Sequence, residues 1–159
     1  MSDDKNADDK NADNKNADDK NADDKNEQGG CLCGAVRFRF DRGAVVASNH
    51  CHCRDCQRAT GSAFASFCMV PEAAFELGQG RPRSFSVKGE SGGDVTRSFC
   101  GDCGSQLYST VTVMPGFYFV KAGVLDDAAW MKPASDFWGS SAQPWSPPLT
   151  DVVHARNPG

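Results

Sequence analysis

The sequence lacks any long apolar run, and its first thirty residues contain no aromatic side chain. A transmembrane helix needs roughly 18 apolar residues in succession, so we expect no membrane span. The acidic N-terminal stretch also lacks the apolar segment of a secretory signal. We therefore expect a cytoplasmic protein, and in that reducing compartment clustered cysteines are more often metal ligands than disulfides.

An excess of basic charge is also missing. Nine aspartates, one glutamate and five lysines give residues 1–30 a charge of -5, whereas the remaining residues carry twelve basic and eleven acidic side chains and total +1. No basic stripe alternates with aromatic residues, as it would on a nucleic-acid-binding surface. We therefore expect no nucleic-acid partner.

Residues 3–27 repeat a five-residue unit, Asp-Asp-Lys-Asn-Ala, with few changes. A period of five matches neither the helical period of about 3.6 nor the strand period of 2. The unit offers no apolar face, so ordering it would cost conformational entropy with little gain from burial. We predict that residues 1–29 form a disordered acidic tail and that residues 30–159 form one folded domain.

The remainder of the chain is typical of an all-β domain with one or two short helical turns. Phe38 and Phe40 alternate with arginines, which predicts one half-buried strand over 30–40 that carries Cys31 and Cys33 on the same face. Further strands are predicted over 45–49, 63–70, 75–77, 84–88, 95–99, 106–113 and 117–122. Helical turns are predicted over 54–60 and 126–131, followed by irregular chain.

Seven of the eight cysteines fall into three clusters, Cys31/Cys33, Cys51/Cys53/Cys56 and Cys100/Cys103. Zinc favours four tetrahedral ligands, and the turn Cys100-Gly101-Asp102-Cys103-Gly104 is typical of one that supplies two of them. Cys31 and Cys33 fit the other two positions and would close a structural site. The three remaining thiolates leave one position to another ligand, which is the pattern of a catalytic zinc.

Three residues near the cysteine clusters are not expected to bind metal. Cys68 lies within an apolar strand and is predicted to be a small buried side chain, as free cysteines often are. His52 separates two ligands that are two residues apart, so the alternation of the chain directs it away from the ion. His50 is an equally weak candidate for the fourth position.

Four motifs together resemble the family of glutathione-dependent formaldehyde-activating enzymes and centromere protein V-like proteins. They lie at 31–36, 51–64, 99–105 and 123–127, in family order. The resemblance implies an Mss4-like β-tent of mainly antiparallel sheets, stapled by two zinc ions per chain that are held by the two cysteine sets described above. It also implies the reversible addition of glutathione, or a related thiol, to formaldehyde or a similar small aldehyde, which is a carbon–sulfur lyase activity.

Two positions depart from the family pattern. Asp136 stands where members often carry histidine, and Ala142 or Gln143 stands where a basic residue is common. If this segment binds substrate, the departures predict a different thiol adduct or a loss of the family activity.

The substrate contacts follow from the same resemblance and from the charge of glutathione. We expect Arg54, Arg58 and Trp145 to bind the thiol substrate, although ordinary surface charge explains the two arginines equally well. Convergence of Phe64, Phe67, Trp138 and Trp145 near Cys53 would indicate a small-molecule pocket, whereas core packing is the role we expect of any single one of them. Asp55, His52 or a water would supply the proton that the reaction consumes. The alternative is a non-catalytic, zinc-stabilised binding module of the same fold.

Overall fold

The computed structural model describes residues 26–158, so most of the predicted tail lies outside the described residues. One α-helix, α1, spans Arg54–Thr60, and no helix in this part of the chain is long and apolar enough to cross a bilayer. Single 3-10 turns lie at Arg42–Ala44, Glu72–Ala74, Ala122–Val124 and Gly139–Ser141. The strands of residues 26–158 are β1 Asn26–Gly30, β2 Arg37–Asp41, β3 Ala47–Cys51, β4 Ala65–Pro71, β5 Phe75–Gln79, β6 Arg83–Lys88, β7 Asp94–Phe99, β8 Gln106–Val111, β9 Met114–Lys121 and β10 Ser135–Phe137.

These strands form two sheets. The smaller sheet has the antiparallel order β1-β2-β5, and the larger has the order β10-β3-β4-β9-β8-β7-β6. All neighbours in the larger sheet are antiparallel except β10, which runs parallel to β3. The predicted all-β, mainly antiparallel fold is therefore confirmed.

Both sheets contribute side chains to one apolar core. The alternation of β2 directs its two phenylalanines inward, where they meet residues of β4, β8 and β9. Burying each such side chain contributes about 1.5–3 kcal/mol. The core residues that are exposed by 2% or less include Phe38, Phe40, Val70, Leu107 and Val120.

The single strand predicted over 30–40 is divided into two strands. β1 begins at Asn26, before the predicted domain boundary, and ends at Gly30, and β2 begins only at Arg37. Between them the N–H of Gly34 donates to Cys31 O, and Gly34 takes a φ of 78°. Because glycine adopts positive φ without a Cβ penalty, the chain turns here. Cys31 and Cys33 therefore lie in a turn and not on one strand face.

The C-terminal segment also differs from the prediction. In place of a helical turn over 126–131 there is a single hydrogen-bonded turn, in which the N–H of Met131 donates to Ala128 O at 3.0 Å. Before it, Asp127 accepts the N–H of Ala129 on its side chain and the indole N–H of Trp130 on its carbonyl. Such local bonds compete with helix formation. Further along, β10 lies where irregular chain was expected. It is only three residues long and its partner β3 is distant in sequence, so local periodicity could not reveal it.

Gly80 allows a close backbone approach between β5 and the β1–β2 turn. Its φ is 71°, and a Cβ would lie 2.1 Å from the carbonyl oxygen of Ala35. We expect Gly80→Ala to lower the free energy of unfolding by about 3 kcal/mol or more, since left-handed strain alone costs about 1–2 kcal/mol. Gly92→Ala is the control, because Gly92 has a φ of 86° with no heavy atom within 4 Å. Denaturant titrations with saturating zinc measure this difference. An equal loss of unfolding free energy in the two variants would contradict the expectation.

Candidate metal centres and adjoining pocket

The first group of sulfurs comprises Cys31, Cys33, Cys100 and Cys103, which all lie within 4.8 Å of one another. The Sγ atoms of Cys31 and Cys33 are 3.5 Å apart, and those of Cys33 and Cys100 are 3.8 Å apart. Tetrahedral zinc with bonds of about 2.3 Å places its sulfurs roughly 3.8 Å apart. The four side chains thus fit one ion and would complete its shell.

Two turns from different sheets build this first centre. One is the β1–β2 turn of the smaller sheet, where the N–H of Val36 donates to Cys31 Sγ at 3.2 Å. The other is the β7–β8 turn of the larger sheet, where Ser105 lies beside Cys103 with its Oγ 3.3 Å from the sulfur. Hydrogen bonds from the Ser105 hydroxyl and backbone lower the pKa of Cys103 to about 5. Thiolate, the form that binds metal, therefore prevails there at neutral pH.

The second group comprises Cys51, Cys53 and Cys56, again with all sulfurs within 4.8 Å of one another. Cys51 ends β3, Cys53 caps α1 by accepting the N–H of Cys56 at 3.3 Å, and Cys56 lies in the first turn of the helix. Hydrogen bonds from the Cys51 and Cys53 thiols lower the pKa of Cys56 to about 2. The donor set suits a thiophilic ion and fills three of its four tetrahedral positions.

His52 lies between two of these cysteines but does not converge on the sulfurs. Its ring is fully buried, and Nε2 is 2.6 Å from Asp136 Oδ1. His50 is likewise engaged elsewhere, because its Nδ1 lies 2.9 Å from the hydroxyl of Ser66. Neither histidine is among the side chains that gather at either centre, as the alternation of the chain predicted.

Asp136 holds the C-terminal segment against the second centre. In addition to His52, its carboxylate accepts the N–H groups of Leu149 and Thr150, at 3.1 and 2.8 Å, and the Thr150 hydroxyl at 2.6 Å. Burial raises the pKa of Asp136, but the bonds from Thr150 and His52 outweigh it and hold that pKa below 3.8. The departure from the family pattern at this position therefore affects packing and not a pocket wall.

Gln57 joins the second centre to the same segment, and no sequence signal marked it. Its buried amide donates to the carbonyls of His52 and Ser141, at 2.6 and 2.9 Å. Its carbonyl oxygen accepts from Arg54 and, at 2.9 Å, from the amide of Gln143. Two donors and two acceptor sites are thus all used, which fixes the orientation of this side chain.

A pocket of about 410 Å³ opens beside α1, and it contains the three residues predicted to bind substrate, Arg54, Arg58 and Trp145. Gln57 and Gln143 also line it. Neither arginine pairs with a carboxylate among residues 26–158, and Trp145 is 75% exposed. The pocket wall thus offers positive charge and an apolar surface to a ligand.

The four aromatic residues predicted near Cys53 are not gathered in one pocket. Trp145 lines the pocket beside α1, while Phe67 and Trp138 pack in an apolar cluster around Cys51. Phe64 packs against the rings of both histidines. The four rings thus do not converge to indicate a pocket, and Phe67 and Trp138 have the core-packing role that was expected.

Two cations approach the second centre from the larger sheet, and both lay outside the sequence motifs. Arg97 of β7 is buried, with Nη2 3.8 Å from Asp55 Oδ2. Lys121 of β9 is paired with Phe67 of β4, and its Nζ lies 5.6 Å from the centre of that ring. Burial lowers the pKa of Lys121, and the Cys56 thiolate opposes this effect.

Together, the two sheets and two sulfur clusters define an all-β protein with two candidate metal centres and an adjoining pocket. A family model described as glutathione-dependent formaldehyde-activating enzyme matches residues 26–141, and the chain belongs to that family. A crystal structure of a Rhodobacter sphaeroides protein from a structural genomics programme is similar, with a TM-score of 0.51 and 20% identity over 62% of this chain and 87% of that one. This likeness supports the Mss4-like fold that the motifs implied.

The two centres are expected to respond differently to the loss of one ligand. Cys103→Ala should abolish folding, because it removes one of the four sulfurs that would hold an ion between the two sheets, and structural zinc contributes directly to folding. Cys53→Ala should keep the fold and lose one of two zinc ions, measured by metal analysis with circular dichroism. Global unfolding of Cys53→Ala would contradict the division into structural and functional sites.

The buried Asp136 carboxylate should make stability depend on pH. Because its pKa is lowered on folding, its contribution is complete above pH 4 and is lost as the pH falls through the native value. Asp136→Asn should cost about 3 kcal/mol at pH 7, since it leaves buried donors without an anionic partner. The variant should also lose less stability than the native chain between pH 7 and pH 3. If the free energy of unfolding changed with pH in parallel for the two proteins, this role of Asp136 would be refuted.

Proposed function

We propose that this chain catalyses the reversible addition of a thiol, most simply glutathione, to formaldehyde or a similar small aldehyde. The observation that carries the proposal is the position of α1. The helix and its cap supply Cys53 and Cys56 to the second sulfur group, and the same helix directs Arg54 and Arg58 to the pocket. A thiol held in the pocket would thus lie beside a three-sulfur centre.

We assign zinc to both centres, because clustered thiolates in tetrahedral sets favour this ion. The centre formed by Cys31, Cys33, Cys100 and Cys103 would be structural, since its protein ligands fill the shell. Cys51, Cys53 and Cys56 would hold the functional ion. When bound there, zinc would supply a positive charge that keeps an incoming thiol ionised at neutral pH.

The pocket residues would select and orient the substrate. Glutathione carries two carboxylates, and guanidinium groups bind carboxylates through paired, charge-assisted hydrogen bonds. Arg58 and the donors of Arg54 that Gln57 leaves free would serve this role. Trp145 would cover the apolar part of the peptide, because an indole ring offers a large rigid surface.

The addition forms one carbon–sulfur bond. The thiolate sulfur attacks the carbonyl carbon, the π electron pair moves to oxygen, and that oxygen takes up one proton; the reverse reaction cleaves the same bond. His52 is fully buried against Asp136, so of the expected proton donors Asp55 and water remain in reach of the surface. We also propose a reducing, cytoplasmic setting, where the eight free thiols would persist.

Glutathione should stabilise the folded protein if the pocket binds it. Because a ligand that binds only the folded state adds RT ln(1 + [L]/Kd), millimolar glutathione should raise Tm by a few degrees. Arg58→Met should reduce this shift and raise KM for glutathione about tenfold, since a charged hydrogen bond contributes roughly 1.5–3 kcal/mol. Arg81→Met, an exposed change between β5 and β6, is the matched control.

Turnover requires a separate measurement. Exchange between formaldehyde and its glutathione adduct, followed by NMR, should be faster with the native protein and slow with Cys53→Ala. A Tm shift without faster exchange would favour the non-catalytic binding module. No Tm shift at millimolar glutathione would count against the proposed substrate.

A further inference from the structure

No cysteine of the second sulfur centre is exposed to solvent, and all three pack in an apolar cluster, whereas the first centre combines two buried cysteines with one exposed cysteine. Cys51 is 7% exposed and packs with Phe67 and Trp138, whereas Cys33 of the first centre is exposed to solvent. Water can therefore solvate net charge at the first centre more readily than at the second. Charge at the second centre must be balanced by the protein itself.

The charge of the second centre depends on its fourth ligand. A divalent ion with three thiolates carries a net charge of -1, and an anionic fourth ligand would raise this to -2. Burying such a charge is costly unless opposite charges or hydrogen-bond donors compensate it. A neutral fourth ligand would leave the charge at -1 and need less compensation.

Lys121 and Arg97 are positioned to provide that compensation. Lys121 extends over the face of Phe67, a ring that packs in the same cluster as Cys51. Arg97 reaches Asp55, which precedes the ligand Cys56 by one residue. Each cation thus contacts a residue that packs against or adjoins the second centre. Their contribution is unequal, because Asp55 offsets part of the charge of Arg97, while Lys121 has no carboxylate partner among residues 26–158.

We infer that Lys121, assisted by Arg97, makes the second cysteine centre selective for an anionic fourth ligand, specifically a thiolate, over a neutral one. The inference rests on the proposed function, in which a thiol approaches this centre. It adds a role for two strand residues that lie outside the pocket and outside the ligand sets. Arg54 and Arg58 recognise the body of the substrate, and Lys121 and Arg97 favour the charge of its reacting sulfur.

Cobalt(II) in place of zinc makes the fourth ligand visible, because its absorption bands change with the donor atom. The cobalt-loaded protein is titrated with 2-mercaptoethanol, which binds as a thiolate, and with imidazole, which binds as a neutral donor. Neither probe carries a carboxylate, so recognition by Arg54 and Arg58 does not enter. The readout is the ratio of the two dissociation constants at one pH.

Lys121→Met should weaken 2-mercaptoethanol binding about tenfold and leave imidazole binding within about twofold, since loss of a nearby charge acts mainly on a charged ligand. Arg97→Met should give a smaller change in the same direction, because Asp55 already offsets its charge. Lys121→Arg should keep the native ratio. Lys88→Met removes an exposed lysine of β6 and serves as the matched control.

Three outcomes would overturn the inference: an unchanged ratio in Lys121→Met, an equal loss for both probes, or no spectral response of the native protein to either probe. Lys121→Gln tests the same loss of charge if the methionine variant does not fold. The expected ratio change without accelerated formaldehyde exchange by the native protein would support the inference and refute the proposed function. Accelerated formaldehyde exchange with an unchanged ratio would support the proposed function and refute the inference.

Discussion

The convergence of four cysteine sulfurs from two turns is the constraint on which the arrangement of the two sheets depends. These sulfurs come from a turn of the smaller sheet and a turn of the larger sheet, and Cys33 and Cys100 are 67 residues apart in the chain. Four thiolates this close would repel each other without a cation. With one, the same charges become a cross-link that offsets the entropy of closing a long loop. The apolar core shared by the two sheets then packs next to this cross-link.

The second centre differs because one sheet and one helix build it. Cys51 ends a central strand, while Cys53 and Cys56 belong to the cap and first turn of α1, so all three arise from six consecutive residues. Such a local set does not have to join distant parts of the fold. It can therefore leave one coordination position to a ligand without loss of structure, which is the physical basis for assigning function to it.

Local patterns in the sequence revealed those features that depend on neighbouring residues. Cysteine spacing separated the two sulfur groups, and the glycine after Thr60 gave the end of α1, where Gly61 takes a φ of 66°. Most other strands followed from apolar segments bounded by turn residues. The division of the first strand at residues 31–36 was missed, because alternating side chains continue across the turn.

Features that depend on distant contacts could not be predicted in this way. β10 is paired with a strand about 86 residues earlier, and the three residues carry no pattern of their own. The sequence around Gln57 is that of an ordinary helix, and the role of Gln57 depends on hydrogen bonds with the distant residues Ser141 and Gln143. Lys121 and Arg97 look like solvent-facing positions of strands, and only the fold brings them to Phe67 and Asp55 beside the second centre.

The hydrogen bonds of Gln57 connect the second centre with the pocket, so binding at the two places is expected to be coupled. One amide bonds to the loop between two metal ligands, through the carbonyl of His52, and to the segment that carries Gln143 and Trp145. A ligand that orders this segment would, through these bonds, also order the loop that carries Cys51 and Cys53. By reciprocity, the factor by which an ion at the second centre tightens binding in the pocket equals the factor by which the pocket's ligand tightens the ion. Under the proposed function, a thiol bound in the pocket would therefore help to retain an ion at the second centre.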